Sequence, residues 1–167
     1  MTWIGVDFGC THTSAAYSKK GISNRIIGVN VDMIPINLEN GKTSTPSVAK
    51  IQTNGDPALV GNAALRAQFP WTKMTLFDSK RMIGMKVTDD EIIENQKSWP
   101  FDVVGDENGN PLYSVPLPKT DEVKLYTPTE ISSYVLTVVR QDAALRKEFI
   151  NDERSCVITV PANFNKE

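Results

Sequence analysis

The chain opens with an apolar run, Trp3–Val6, that continues through Phe8 and is interrupted by a single carboxylate, Asp7. A short apolar run bounded by turn residues predicts a buried strand over Trp3–Phe8. The stretch FGCTHTS turns at once, and Thr13–Ser18 predicts a second strand that Lys19-Lys20-Gly21 closes. Val29, Val31 and Met33 alternate with polar residues, the pattern of a half-buried third strand. Pro35 cannot donate to a ladder, so this strand belongs at a sheet edge, and Asn40-Gly41 marks the turn that ends it.

The middle of the chain has a different texture. TSTPSVAKIQ predicts one short strand, Gly61–Phe69 a helix stopped by Pro70, and Phe77–Met82 a helical turn before Gly84. Asp89–Lys97 predicts a short acidic helix with its cap among Thr88, Asp89 and Asp90. The segment WPFDVVGDENGNPLYSVPL predicts a hairpin around Asn108-Gly109. These elements form an α+β insert from about Thr45 to about Leu125.

The strongest helix signal follows. Thr127-Pro128-Thr129-Glu130 is a capping box with proline at the first helical position. Ile131, Tyr134, Val135, Val138 and Val139 then form one apolar stripe. Cys156–Val160 is a short apolar strand ending at Pro161, and Asn163 or Asn165 caps a further helix that the sequence does not reach, which predicts a piece of a longer protein. The helix acts as a crossover, so Cys156–Val160 should lie parallel to Trp3–Phe8. The expected sheet order is third, second, first, then Cys156–Val160. Ligands of open α/β sheets gather at the C-terminal ends of parallel strands, which brings Asp7, Gly9 and Pro161 together.

Composition narrows the classes of function. The 167 residues are 40% hydrophobic and 23% charged, with a net charge of −2. No basic stripe points to nucleic acid, no Lys/Arg cluster points to a membrane surface, and no run approaches the roughly 18 apolar residues of a span. The N-terminus lacks a basic segment followed by an apolar one, so no secretory leader is read. Cys10 and Cys156 fall near opposite ends of neighbouring parallel strands, too far apart to bridge. A reducing compartment, the cytoplasm, is expected.

The chemistry concentrates in IGVDFGCTHTS. One carboxylate next to phosphate oxygens suffices for magnesium, a hard cation that keeps much of its water. Gly9 permits close backbone approach, and backbone N–H groups of Thr11–Thr13 can cradle phosphate. GxxxxGK[ST] does not occur, which argues against a P-loop enzyme. Taken alone, Asp7 also fits a solvated strand-end acid and Lys80 a helix-surface lysine.

IGVDFGCTHTS resembles the first phosphate loop of the actin-like ATPases, and most of all that of the seventy-kilodalton heat-shock chaperones (DnaK-type). FDSKRMIG resembles the central lysine motif of those chaperones, and TSTPS, VGNAAL, SWPF and CVITVPANFN resemble further segments in the same order. The resemblance implies lobe I of a nucleotide-binding domain. Its fold is an actin-like, ribonuclease H-like mixed α/β sheet with an α+β insert, residues 1–44 and 126–167 forming the first subdomain and 45–125 the insert. It implies ATP hydrolysis with ATP/ADP and Mg2+ as cofactors. Asp7 holds the metal through water, and Gly9, Cys10, Thr11 and His12 line the phosphates. Lys80 reaches the γ-phosphate and the attacking water, while Arg81 is structural or an interdomain ion-pair partner. Partners would be unfolded polypeptide clients, a J-domain cochaperone and a nucleotide exchange factor, and Pro161 would couple nucleotide state to a substrate domain. The isolated fragment should be inactive, because the remaining nucleotide contacts lie beyond Glu167.

The sequence departs from that pattern where Cys10 replaces the usual Thr, His12 the usual Tyr, and Asn163 the usual aromatic. The hairpin Ile22–Val31 looks like an insertion. Cys10 removes a hydroxyl donor, since a thiol donates weakly. That departure keeps open a catalytically weak regulator of the same fold. A sugar or acetate kinase, an actin-like filament protein, or a non-enzymatic interaction domain are the other readings.

Overall fold

A computed structural model describes residues 2–18, 33–35, 42–52, 58–67, 72–118, 122–144 and 154–160. The expectations at Lys19-Lys20-Gly21, Ile22–Val31, Asn40-Gly41, Pro70, Pro161, Asn163 and Asn165 lie outside these residues.

Strand β1 (Thr2–Phe8) pairs antiparallel with β2 (His12–Ser18), setting Ile4 opposite Tyr17, Val6 opposite Ala15 and Phe8 opposite Thr13. Side chains alternate across a strand, so these six share one face, and all six are buried. Gly5, Asp7, Ser14 and Ala16 fall on the other face. Strands β3 (Met33–Pro35) and β4 (Ser44–Pro46) divide the outer edge of β2 between them, β3 beside Ala16–Ser18 and β4 beside His12–Ser14. Pro35 is thus at a sheet edge among the described residues, as expected.

Pro46 and Ser47 end β4, and the chain changes sheet. β5 (Ala49–Lys50) lies between β6 (Leu59–Val60) and β7 (Thr75–Leu76) in a separate three-stranded sheet. TSTPSVAKIQ is therefore split between two sheets rather than forming one strand. Helix α1 (Asn62–Arg66) is shorter than the Gly61–Phe69 expected, because Ala67 is already extended at φ −62°, ψ 147°. After α2 (Ser79–Met82) and α3 (Asp90–Gln96, with Asp89 at the N-cap position but its carboxylate accepting from the Lys86 N–H) comes a third sheet. It consists of β8 (Asp102–Gly105), β9 (Pro111–Leu117) and β10 (Glu122–Tyr126). β10 was not anticipated: four of its five side chains are exposed, so its pattern carries no alternation to read.

Helix α4 (Pro128–Ala144) begins with the capping box expected. The Thr127 N–H donates to Glu130 Oε2 (2.7 Å) and the Glu130 N–H to Thr127 Oγ1 (3.1 Å). Its stripe buries Ile131, Val135, Val139 and Ala143 in the same core as the inner face of β1 and β2. β11 (Arg154–Ile158) then pairs parallel with β1, completing the order β11-β1-β2-β3 that the sequence predicted. Among the described residues no helix is long and apolar enough to cross a membrane.

Two devices set the position of α2. Phe101 meets Phe77, Trp99 and Tyr113 at ring-centroid distances of 5.0, 5.2 and 5.1 Å, contacts that add about 0.5–1.5 kcal/mol each beyond burial. Tyr113 donates to the Phe77 carbonyl (2.7 Å) and Trp99 Nε1 to Asp78 Oδ2 (3.1 Å). Burial, aided by the Asp78 charge, pushes the Tyr113 hydroxyl well above its usual pKa, so it remains a donor. Asp78 is left-handed at φ 57°, a conformation costly for a non-glycine residue, and the Trp99 and Arg81 bonds hold it there. In addition, buried Ser132 of α4 is hydrogen-bonded to Ser79 of α2 (2.9 Å).

The β8–β9 turn is closed by Asp106, which accepts from the N–H groups of Asn108 and Asn110 and from Asn110 Nδ2, each at 2.8 Å. The Asn110 side-chain and backbone bonds pull the Asp106 carboxyl below its ordinary pKa; slight desolvation opposes them, and the Asn108 amide and the Lys86 charge assist. The folded value lies below the unfolded one. The ionised carboxylate therefore stabilises the turn above the ordinary carboxylate range, and that contribution is lost as pH falls through the folded value. An NMR titration should show Asp106 ionising below a reference aspartate. Asp106→Asn should flatten the dependence of stability on pH below about pH 4. Titration of Asp106 at the ordinary value would contradict the turn network.

Candidate functional site

β1 and β2 are joined by the tight turn Gly9–Thr11, the stretch singled out in the sequence. The Gly9 N–H donates to the His12 carbonyl (3.1 Å). A Cβ built on Gly9 would fall closer than 3.0 Å to that same oxygen, a backbone atom that cannot swing aside. Glycine is required here by proximity.

The residues named from the sequence arrive at this turn from several elements. Asp7 is exposed on the open face of the sheet. Thr159, just past β11, donates its hydroxyl to Asp7 Oδ1 (2.8 Å), and its N–H extends the parallel ladder to the Val6 carbonyl (3.0 Å). Lys80 comes from α2, 72 positions along the chain from Phe8, and its ammonium donates to the Phe8 carbonyl while lying 5.6 Å from the centre of the Phe8 ring. Phe8 points to the inner face and Asp7 to the outer, so the carboxylate and the ammonium reach consecutive residues from opposite sides of the sheet. Thr11 and His12 are exposed at the turn and Cys10 is half-buried.

Arg81 pairs with Asp78 Oδ1 (3.3 Å) and Glu91 Oε1 (3.4 Å). Burial lowers its pKa, but the charges of Cys10 and Asp78 and the hydrogen bonds to Glu91 and Asp78 outweigh this and hold it above the ordinary value. Its bonds are those of a structural residue, one of the two roles anticipated.

Two residues at the turn were not anticipated. Thr159 is one. The other is Ser47, only 1% exposed, whose N–H donates to the Thr11 carbonyl (2.9 Å) and whose hydroxyl donates to the Gly9 carbonyl (2.7 Å). The Thr13 hydroxyl lies 2.9 Å from Ser47 Oγ. TSTPS and CVITVP contain both residues, but a hydroxyl residue in a strand-end run does not announce its partner.

A hollow of about 460 Å3 on the open sheet face is lined by Asp7 and Thr159 together with Gly5, Ser14, Ala16 and Val157. Lys80 is not among the residues that line this hollow. No group of three His, Cys, Asp or Glu side chains converges among the described residues. One exposed carboxylate beside a glycine turn fits a hydrated magnesium carried on phosphate oxygens, which needs little protein ligation.

Comparison with known proteins follows the same run of residues. Residues 3–167 match the family described as Hsp70 protein. The chain is 32% identical over 164 residues to a ribosome-associated molecular chaperone of Saccharomyces cerevisiae, covering 97% of this chain and 24% of the yeast protein. It is 35% identical over 164 residues to a heat shock 70 kDa protein of Emericella nidulans, covering 97% and 22%. It is 34% identical over 168 residues to heat shock cognate 70 kDa protein 3 of Dictyostelium discoideum, covering 99% and 24%. The chain spans about a quarter of the length of these relatives.

The contact at Gly9 yields a direct test. Gly9→Ala should destabilise the protein by about 1–3 kcal/mol, the usual penalty for overpacking, read as a lower denaturation midpoint with unchanged slope. An unchanged midpoint would mean that the turn opens without cost.

Proposed function

The chain belongs to the Hsp70 family, and from that premise we propose that it is the N-terminal lobe of the ATPase domain of a chaperone that uses ATP hydrolysis to drive protein folding. The observation that carries this reading is the convergence of Lys80 and Thr159, from distant parts of the chain, on the two residues ahead of the glycine turn: Lys80 donates to the Phe8 carbonyl and Thr159 to the Asp7 carboxylate. Members of the family are ATPases, and membership sets aside the kinase, filament and interaction-domain alternatives.

In this reading ATP/ADP and Mg2+ are the cofactors, and the metal, when bound, offsets charge on the phosphate oxygens. Asp7 holds the metal's water shell through the oxygen that Thr159 leaves free, while Thr159 fixes the carboxylate's rotamer. The backbone of Gly9, Cys10, Thr11 and His12 receives phosphate oxygens; His12 contributes through its main chain. Lys80 leaves the Phe8 carbonyl for the terminal phosphate, where a cation stabilises charge developing on the transferring group. Residues 1–44 and 126–167 form a ribonuclease H-like subdomain and 45–125 the insert in this reading. Unfolded polypeptide clients, a J-domain cochaperone and a nucleotide exchange factor are the partners of the whole protein. The two free cysteines fit a cytoplasmic location. Residues 1–167 alone are inactive in this reading, since one turn and one lysine leave phosphates hydrated.

Cys10 favours a second reading, a weakly catalytic regulator of the same fold, because a thiol replaces a hydroxyl donor at the turn. In the full-length protein, Asp7→Asn and Lys80→Ala should each slow ATP turnover on the order of 100-fold, the typical cost of removing one charge-stabilising group, with stability little changed. Wild-type turnover in both would return these residues to structural roles. Cys10→Thr should raise turnover about 2- to 12-fold, the worth of one neutral hydrogen bond. A fall would show a site rebuilt around the thiol.

A further inference from the structure

Ser47 is buried, stands outside the Gly9–His12 turn in sequence, and makes contacts to that turn through both its main chain and its side chain. Its hydroxyl has one proton. That proton goes to the Gly9 carbonyl at 2.7 Å, so the Thr13 hydroxyl, 2.9 Å away, is the donor of the remaining bond. Its N–H takes the Thr11 carbonyl at 2.9 Å. Two alternate carbonyls of the turn are thereby drawn toward one residue.

A trans peptide unit is planar, with its C=O and the following N–H directed oppositely. Turning the Gly9 carbonyl toward Ser47 therefore directs the Cys10 N–H away from it, while turning the Thr11 carbonyl sends the His12 N–H to the edge of β2 that faces Gly9. Among the described residues neither the Cys10 nor the Thr11 N–H donates to a protein acceptor. Successive N–H groups aimed outward from a turn form a concavity for an anion. The Phe8 carbonyl is occupied by Lys80 and the His12 carbonyl by the Gly9 N–H. Each carbonyl from Phe8 to His12, apart from that of Cys10, thus has an internal donor, which leaves the outward side of the turn to donors.

We infer that Ser47 is the positioning residue of the phosphate-binding turn: it touches no nucleotide itself, but by holding the Gly9 carbonyl it sets the direction of the Cys10 amide, and by holding the Thr11 carbonyl it fixes the far end of the turn. The inference rests on the nucleotide-binding reading above. It assigns a role to a serine of the β4–β5 bend, 38 positions from the glycine it holds.

The test uses the full-length protein and two ligands that differ only in phosphate. Ser47→Ala should weaken binding of Mg-ADP about 2- to 12-fold, the loss of one neutral hydrogen bond, and leave adenosine binding unchanged, both measured by titration calorimetry. Ser47→Cys keeps the shape with a weaker donor and should fall between wild type and Ser47→Ala; it carries the test if the alanine variant does not fold. Equal loss of adenosine and Mg-ADP affinity would overturn the inference by showing a general structural role. Unchanged affinity for both would overturn it too. A wild-type protein that binds neither ligand would overturn the nucleotide reading, and the inference with it, a result distinct from wild-type binding with an indifferent Ser47.

Discussion

Gly9 lies so close to the His12 carbonyl that no side chain fits between them, and the rest of the site is arranged around that contact. A turn this tight leaves most of its carbonyls without a local donor, and unpaired buried backbone groups are costly. Beyond the Gly9 N–H, which meets the His12 carbonyl, the fold supplies donors from outside: Ser47 from the bend after β4 and Lys80 from α2. Thr159 performs the corresponding service for the Asp7 carboxylate from the end of β11. Segments from the beginning, middle and end of the chain meet at one turn because its polar groups need partners that local sequence does not provide.

The insert reaches that turn through the aromatic cluster. Phe101 wedged among Phe77, Trp99 and Tyr113 holds the chain just ahead of α2, and the Ser79–Ser132 bond ties α2 to α4. α4 in turn shares a core with β1 and β2. Lys80 is therefore oriented by packing on both sides of its short helix, which at four residues has little stability of its own.

Much of this was legible in the sequence because its signals are local. The apolar run at Trp3–Phe8, the capping box at Thr127–Glu130 and the Asn108-Gly109 turn each specify their own backbone, and all three stand as read. The sheet order followed from one helical crossover. Signals that depend on a distant partner were not legible. TSTPSVAKIQ looks like a single strand until β2 and β6 claim its two halves. β10 pairs through its backbone with side chains that stay in water, so its composition carries no period. Ser47 and Thr159 are ordinary hydroxyl residues whose importance lies in which carbonyl or carboxylate they meet. Asp7 and Lys80 were singled out by family resemblance, and the turn that unites them is where local and distant constraints coincide.

β11 is paired only with β1 among the described residues, and Val157, Ile158 and Val160 are 56%, 43% and 63% exposed. A strand with one hydrogen-bonded neighbour and apolar side chains in water opens at lower free energy than the sheet interior. In hydrogen-exchange terms β11 should be less protected than β1 and β2, and the residue that orients Asp7 follows it directly. The carboxylate's rotamer is thus only as persistent as the outermost strand of the sheet. Any segment that pairs along the edge of β11 that has no partner among the described residues slows the opening of that strand, and so lengthens the time for which Asp7 keeps a single orientation.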